Sequence, residues 1–289
     1  MIEADGLRKE YGGFVAVDGI SFSVDDGEIF GIIGPNGAGK TTTLKMVSGL
    51  VEPTAGSARV AGYDSESLDM RYHLGYLPEE SPLYEDMTAV SYLKFFADLY
   101  DVPSHVAEER IHETLDRLDL EHRDRKIGDM SKGMKRKVAI TRSLVNDPDV
   151  LIYDEPASGL DPLTTNYIIE FMRDLRDEGM TMIFSAHNLF HVEEICDRVV
   201  ILNEGDVVAR GTLDEIRDDY GGTEYHVYST VDVEGRETER EDGRYRIVLD
   251  SMDGVEALRD EIHAEGGEID DIRTHEPSLE EIFLNVARR

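Results

Sequence analysis

Short apolar runs alternate along this chain with segments in which apolar residues recur at helical spacing. Such runs are typical of buried parallel strands. They occur at 29–33, 150–153 and 181–186. From Thr88, the expected N-cap, the period changes, and Val90, Leu93 and Ala97 recur at helical spacing. This succession of buried strands and amphipathic helices predicts an α/β fold with a parallel sheet.

A glycine-rich loop directly follows the first run. It reads Gly34-Pro35-Asn36-Gly37-Ala38-Gly39-Lys40-Thr41 and precedes a predicted helix from Thr42 that Gly49 closes. Its glycines let backbone N–H groups turn inward around phosphate oxygens, and the helix N-terminus adds partial positive charge. Lys40 is expected to bridge the β- and γ-phosphates, and the Thr41 hydroxyl to ligate magnesium. The loop therefore predicts a nucleoside triphosphate site; a chance glycine-rich turn is the alternative.

Two acids and a histidine follow the other two apolar runs. Asp154 and Glu155 would be costly to bury at a strand end unless a cation or a reaction uses them. Beside a phosphate loop, Asp154 is predicted to ligate magnesium through water and Glu155 to act as base for the attacking water, although chance acids are the alternative. His187 lies at a strand's carboxyl end, where open parallel sheets bind ligands. His187 and His191 are four residues apart, but no third ligand is evident, so zinc is not favoured.

Two weaker signals lie elsewhere in the chain. Tyr11 precedes the loop by about two dozen residues, where an aromatic ring can stack on a base, although an ordinary half-buried strand tyrosine fits equally well. Ser131 and Gly133 begin a predicted helix and offer a hydroxyl and free N–H groups to an anion. The chain's basic cluster lies there and favours either nearby phosphate or a solvated face paired with carboxylates; it contains Lys132, Lys135, Arg136 and Lys137.

The charge balance restricts the possible partners. The 289 residues include 62 Asp and Glu against 30 Lys and Arg, which gives a formal net charge of −32. This excess repels nucleic acid, so no nucleic-acid partner is expected. The acids are dispersed and lysine is scarce, as a salt-rich cytoplasm would favour because screening removes self-repulsion. The composition is therefore halophile-like; mild acidity without halophily is the alternative.

The number of cysteines and the lengths of the apolar runs indicate in which cellular compartment the chain is expected. The single cysteine, Cys196, excludes an internal disulfide and is predicted to be a buried structural thiol between a helix and a strand. The first residues lack the features of a signal peptide, and no apolar run approaches the roughly 18 residues of a transmembrane helix. We therefore expect a cytoplasmic chain that reaches a membrane only through a partner.

The chain length suits one large domain with an appendage. Residues 1 to about 30 are expected to form short strands and turns, about 86–148 a helical insertion, and 199–209 a closing hairpin. Gly221-Gly222 marks the expected boundary, so that 221–289 forms a small α+β appendage without a chemical motif. Its predicted strands are 225–228, 245–249 and 269–272, and its predicted helices are 253–264 and one from Ser278.

Taken together and in order, these motifs over residues 1 to about 220 resemble the ATP-binding cassette (ABC) ATPases. The resemblance implies a P-loop NTPase core with an N-terminal antiparallel β subdomain and the helical insertion, and ATP with magnesium as ligands. It implies catalytic roles for Lys40, Glu155 and His187, and magnesium ligation by Thr41, Glu79 and Asp154. The implied nucleotide-binding residues are Tyr11, Gly34, Pro35, Asn36, Gly37, Ala38, Gly39, Lys40, Thr41, Thr42, Ser131, Gly133 and Asp161.

Two positions depart from the family pattern. The segment Ser131-Lys132-Gly133-Met134 matches the signature Ser-Gly-Gly-Gln only at its first and third positions, which are the expected γ-phosphate contacts. Glu79 occupies the usual place of a glutamine; it keeps an oxygen for magnesium but adds charge and loses the amide donor. Both departures, together with the ending 276–283, resemble the branch that serves separately encoded, mostly exporting permeases.

The resemblance also implies an assembly. Two such subunits, identical or different, would sandwich two ATP molecules head to tail, with each phosphate loop facing Ser131 and Gly133 of the partner. The expected function is ATP hydrolysis that energises export through a membrane permease, at the inner face of the cell membrane. The alternative is a soluble cassette ATPase; charge argues against ribosome or DNA partners but not against cofactor assembly. Glu155 and His187 argue against a weakly hydrolysing switch.

Overall fold

The computed structural model describes residues 1–286 except Gly221, Asp242 and Pro277. The chain divides into two compact units, Met1–Thr212 and Leu213–Arg289. The elements of the first unit are β1 (Ile2–Tyr11), β2 (Phe14–Val24), β3 (Ile29–Ile33), α1 (Lys40–Val47), β4 (Ala55–Val60), β5 (Tyr63–Asp64), β6 (Leu74–Leu77), α2 (Ala89–Leu99), α3 (Ser104–Arg117), α4 (Lys132–Leu144), β7 (Val150–Asp154), α5 (Pro162–Asp177), β8 (Thr181–Ala186), α6 (Leu189–Ile195), β9 (Arg198–Asn203) and β10 (Asp206–Thr212).

A six-stranded sheet in the order β10-β9-β3-β8-β7-β6 forms the centre of the first unit. Its strands are parallel except for β10, which pairs antiparallel with β9. Every residue of β3, β7 and β8 is buried, which explains why these strands are continuous apolar runs. Ile33 pairs with Ala186 and Asp154 with Ser185, so the carboxyl ends of the three strands lie side by side. The predicted α/β fold is confirmed.

The N-terminal region forms a long hairpin rather than the expected short strands and turns. β1 has 10 residues and β2 has 11, and they belong to an antiparallel sheet in the order β2-β1-β4-β5. Register shifts interrupt the pairing of β1 with β2 between Ala4 and Glu10. Such shifts break the two-residue alternation of apolar side chains by which a strand is recognised in a sequence. The antiparallel subdomain itself is as expected.

The stretch 86–148 contains the three helices α2, α3 and α4. The Thr88 hydroxyl accepts a hydrogen bond from the Ser91 N–H, which confirms Thr88 as the N-cap of α2. The apolar stripes of these helices pack together, as their helical spacing predicts. The buried residues of this cluster include Leu93, Ala97, Ile111, Leu115 and Val138.

The described residues of the second unit form one antiparallel sheet in the order β12-β13-β11-β14, together with three helices. Its elements are α7 (Leu213–Tyr220), β11 (Glu224–Ser229), β12 (Glu239–Glu241), β13 (Arg244–Leu249), α8 (Met252–Ala264), β14 (Ile269–His275) and α9 (Leu279–Val286). The sequence did not indicate α7 or β12, and the unit begins at Leu213 rather than near 221. Gly221, half of the expected boundary pair, and Pro277 lie outside the described residues.

None of the helices that the structure describes is long and apolar enough to cross a membrane.

Cys196 follows α6 and is buried, as the sequence predicts. A Cβ atom added to Gly31 of β3 would lie 2.9 Å from the Cys196 Sγ, which shows that the thiol packs against this strand. Burial, assisted by the charges of Asp197 and Glu28, raises the pKa of the Cys196 thiol well above its usual value. The thiol is therefore protonated at neutral pH and shielded from solvent.

Because thiol reagents need an accessible thiolate, Cys196 should react with Ellman's reagent at pH 8 at least about 10²-fold more slowly in the folded protein than in urea. The measurement is the absorbance of the released thiolate product against time under both conditions. Equal rates in buffer and in urea would contradict the burial of this side chain.

Candidate functional site

The glycine-rich loop connects β3 to α1 and requires glycine at several positions for different reasons. A Cβ atom at Gly34 would lie 2.4 Å from the Leu202 carbonyl oxygen, and one at Gly39 would lie 2.6 Å from that of Ala16. Gly37 has open space around it, but its φ of +86° is in the region that favours glycine. The loop therefore passes so close to the neighbouring backbone at Gly34 and Gly39 that a side chain would not fit there.

Lys40 begins α1, two residues earlier than the helix start expected from the sequence, and is buried. Its Nζ donates to the carbonyl oxygens of Gly34 at 2.8 Å and Pro35 at 3.3 Å. The same Nζ lies 3.7 Å from Oε1 of Glu155. The ammonium group is thus held inside the curve of the loop, where it can attract phosphate oxygens.

Asp154 ends β7 with 1% of its surface exposed. Its Oδ1 accepts hydrogen bonds from the Thr41 hydroxyl at 3.1 Å and the Ser185 hydroxyl at 2.6 Å. Burial and the Asp154 charge raise the pKa of Tyr76, whose buried hydroxyl has no hydrogen-bond partner among the described residues. Thr41, Asp154 and the exposed carboxylate of Glu79 supply hydroxyl and carboxylate oxygens, the hard donors that magnesium prefers. This donor set fits a magnesium ion.

Glu155 follows Asp154 and has a left-handed backbone conformation, with φ of +48°. This conformation costs a non-glycine residue about 1–2 kcal/mol, so the surroundings must hold it. The Glu155 N–H donates to the Ser185 hydroxyl at 3.0 Å, and its carbonyl accepts from Arg136 Nη2 at 2.7 Å. The carboxylate lies between Lys40 and His187, whose Nδ1 is 2.6 Å from Oε2. The site therefore holds a buried acid with a cation on one side and an imidazole on the other.

One cleft of about 670 Å³ gathers many of the predicted residues. It is lined by Tyr11, Pro35, Asn36, Gly37, Gly39, Lys40, Thr41, Thr42, Glu79, Glu155 and His187, and also by Phe14, Ala16 and Ser158. Tyr11 is 48% exposed at the end of β1, and the ammonium group of Lys9 lies over its ring, 5.2 Å from the ring centroid. Phe14, also exposed, begins β2 opposite Tyr11 and was not singled out in the sequence, although the two aromatics flank Gly12-Gly13 symmetrically.

Ser131, Gly133 and Asp161 are not among the residues that line this cleft. Ser131 is the N-cap of α4, where its hydroxyl accepts from the Met134 N–H. A Cβ atom at Gly133 would lie 2.9 Å from the side chain of Thr164, so packing within the same chain already requires glycine there. Asp161 is the N-cap of α5, and hydrogen bonds from the N–H and hydroxyl of Thr164 lower its pKa.

The basic cluster at the start of α4 is not a solvated face throughout, which corrects that part of the expectation. Arg136 and Lys137 are buried, and Lys137 donates to the Asp119 carbonyl. Lys135 pairs with Glu85, and Lys132 donates to the Ser158 carbonyl at 3.1 Å. Desolvation lowers the pKa of Arg136 to about 10, so this guanidinium stays charged at neutral pH.

Two family models match the chain. One, described as ABC transporter, matches residues 17–158. The other, described as the C-terminal domain of DrrA1-3-like ATP-binding proteins, matches residues 211–287. The second match begins near Leu213, where the second compact unit begins.

Relatives and solved structures are similar over most of the chain. Linearmycin resistance ATP-binding protein LnrL of Bacillus subtilis (strain 168) is 40% identical over 225 residues, which are 77% of this chain and 72% of that protein. Nod factor export ATP-binding protein I of Burkholderia pseudomallei (strain 1710b) is 39% identical over 213 residues, 73% of this chain and 70% of that protein. A solved ATP-binding subunit of an ABC transporter has a TM-score of 0.71 and 37% identity, and covers 76% of this chain and 93% of that chain.

The two hydrogen bonds of Ser185 lead to a prediction about stability. Ser185→Ala removes the acceptor of the Glu155 N–H and a donor to the Asp154 carboxylate, both buried. It should lower the free energy of unfolding by about 1–3 kcal/mol, measured by urea denaturation followed by circular dichroism. The matched control, Ser104→Ala at an exposed position of α3, should change stability by less than about 0.5 kcal/mol. Equal effects of the two substitutions would show that the Ser185 hydroxyl is dispensable.

Proposed function

This chain belongs to the ABC transporter family of ATP-binding proteins, and we propose that it binds and hydrolyses ATP to energise export through a separately encoded membrane permease. The observation that carries the proposal is the Glu155 carboxylate, held between Lys40 and His187 beside the phosphate loop. The resistance and export relatives support the direction of transport. The permease would bring the chain to the membrane, with the specificity for cargo residing in that partner.

Binding would use the loop, Lys40 and the aromatic ring of Tyr11. Backbone N–H groups of 34–41 and the N-terminus of α1 surround the phosphates, and the buried ammonium of Lys40 attracts the β- and γ-phosphate oxygens. Tyr11, exposed at the edge of the cleft, stacks on the adenine, and Thr42 contacts a phosphate at the start of α1. Except for Gly34 and Ala38, these residues line a single cleft, which supports their action on one ligand.

Magnesium would be held by Thr41, Asp154 and Glu79, where it supplies positive charge that neutralises the phosphates. The Ser185 hydroxyl fixes the Asp154 carboxylate by its hydrogen bond to Oδ1. Because Thr41 donates to that same oxygen, the hydroxyl and the carboxylate already lie side by side. The chain thus orients its ligand oxygens through the pairing of β7 with β8.

Hydrolysis would proceed by positioning and electrostatic stabilisation, as in other phosphoryl transfers. Glu155 accepts a proton from the attacking water, and its buried carboxylate is aimed into the cleft by the contacts to Lys40 and His187. The His187 Nδ1 lies 2.6 Å from Oε2 of Glu155, and its other ring nitrogen, Nε2, would contact a γ-phosphate oxygen. Lys40 stabilises charge on the phosphate oxygens as the bond breaks.

Ser131 and Gly133 would act on ATP bound to a second subunit. Both lie at the start of α4 and do not line the cleft of their own chain, although the first N–H groups of a helix are suited to an anion. Asp161 would lie at the same contact between subunits. A head-to-tail pair of cassettes, identical or different, would therefore complete two ATP sites.

The role of Glu155 can be tested in the purified chain. Glu155→Gln keeps the size of the side chain but cannot accept the proton, so we expect turnover to fall by roughly 10²–10⁴-fold while ATP binding persists. Phosphate release measures turnover, and equilibrium binding of a fluorescent ATP analogue measures affinity. Glu113→Gln, the same change at an exposed position of α3, is the control and should leave both unchanged. Near-normal turnover in Glu155→Gln would exclude Glu155 as the base.

A further inference from the structure

Arg136, on the second turn of α4, is 8% exposed, and its guanidinium group donates to the backbone of two separate segments. Nη1 donates to the carbonyl oxygens of Pro78 at 2.7 Å and Glu79 at 3.0 Å. The other donors bond to the segment that follows β7: Nη2 to Asp154 at 3.1 Å and Glu155 at 2.7 Å, and Nε to Pro156 at 2.7 Å. All five N–H donors of the side chain are accounted for by carbonyl oxygens.

Arg136 has no ion pair with a carboxylate among the described residues, unlike its neighbour Lys135, which pairs with Glu85. A buried cation loses its hydration, and carbonyl dipoles offset only part of that cost. Such a group is a weak source of stability but imposes a specific geometry, because a planar guanidinium fixes the directions of all its acceptors. The carbonyls that it fixes belong to the segments that carry Glu79 and Glu155.

The backbone of Glu155 is the strained part of this arrangement. Glu155 has a φ of +48°, and its N–H donates a hydrogen bond to the Ser185 hydroxyl. The Glu155 carbonyl accepts hydrogen bonds from Arg136 and from the Ser158 N–H, the latter at 3.2 Å. A strained conformation persists only where the surroundings over-determine it. Loss of the Arg136 contact would leave the carbonyl side of Glu155 held by a single long hydrogen bond.

We propose that Arg136 is a positioning residue that holds the backbone of the general base Glu155 in its left-handed conformation and ties it to the Glu79 segment. The inference rests on the proposed function, since it assigns Arg136 a role in the same hydrolysis. Arg136 does not line the nucleotide cleft, so it acts through Glu155 rather than on the nucleotide. The backbone carbonyls of Glu79 and Glu155 both accept hydrogen bonds from the Arg136 guanidinium group. A displacement of the segment that carries one of them is therefore transmitted to the segment that carries the other.

The test compares Arg136→Lys and Arg136→Gln with the unchanged chain. Lysine keeps the charge but has three donors on one nitrogen, and glutamine keeps two donors without charge, so neither can reach both segments. We expect kcat for ATP hydrolysis to fall by roughly 10–100-fold, while ATP affinity and KM change by less than about three-fold. Lys135→Gln removes a charge one residue away on the same helix and should leave kcat unchanged. The melting temperature of each variant shows whether it is folded.

A double-mutant cycle with Glu155→Gln separates positioning from a general structural role. If Arg136 acts through Glu155, Arg136→Lys should change the residual rate of Glu155→Gln by less than about two-fold, because the base is already absent. Multiplicative losses in the double variant would overturn the inference. So would an Arg136→Lys variant with normal kcat, or one whose ATP affinity falls as much as its rate.

The same set of variants shows whether a negative result contradicts the role of Arg136 or the proposed function itself. If the unchanged chain hydrolyses ATP and Glu155→Gln abolishes that activity, the proposed function stands whatever the Arg136 variants do. If the unchanged chain binds no ATP, the proposed function fails, and the role of Arg136 in that hydrolysis is overturned with it. Should Arg136→Lys be unfolded, the same comparison is made with Arg136→Gln, for which normal kcat would equally overturn the assignment.

Discussion

The register between three parallel strands is the constraint on which the candidate site depends. β8 lies between β3 and β7, with Ala186 paired to Ile33 and Ser185 paired to Asp154. The phosphate loop, Glu155 and His187 follow these strands immediately, and Asp154 ends β7. One set of backbone hydrogen bonds therefore places all of them at one sheet edge. A slip of either strand by one residue would turn Ser185 or Asp154 to the opposite face.

Much of this edge could be predicted from the sequence because its signals are local. The phosphate loop and Asp154 each follow a short apolar run directly, and a continuous apolar run is the usual sequence of a buried parallel strand. The contributions of Ser185 and Arg136 were missed for a different reason. Ser185 lies within an apolar run and Arg136 within a basic cluster, and their partners, among them Pro78, are distant in sequence. Composition and period do not reveal which backbone atoms a side chain meets.

The sequence also does not reveal the contacts that Gly133 and Lys132, both in the signature segment 131–134, make within the chain. Gly133 is expected to contact phosphate, yet a Cβ atom at this position would already lie 2.9 Å from the Thr164 side chain of the same chain. A glycine there thus suits the packing within the chain as well as the expected contact of its backbone N–H with a ligand. Lys132, which departs from the family pattern, donates to the Ser158 carbonyl beside the cleft. The start of α4 thus contacts the 154–158 segment through Lys132 and Arg136, two side chains four residues apart on one helix face. In the proposed pair of subunits, the half of the site contributed to a partner and the half retained by the chain would share this helix.

The central claim is that two chains complete each hydrolytic site, and the most direct measurement mixes two inactive variants. Lys40→Met disables the cleft and Ser131→Arg disables the surface presented to the partner, so each alone has no intact site, whereas a mixed pair has one. An equal mixture should regain about a quarter of the unchanged chain's ATPase rate, since half of the pairs are mixed and each has one of two sites. Mixing Lys40→Met with Glu155→Gln, which damage the same half, should regain nothing. A mixture of the first two variants that stays as inactive as either alone would contradict the account.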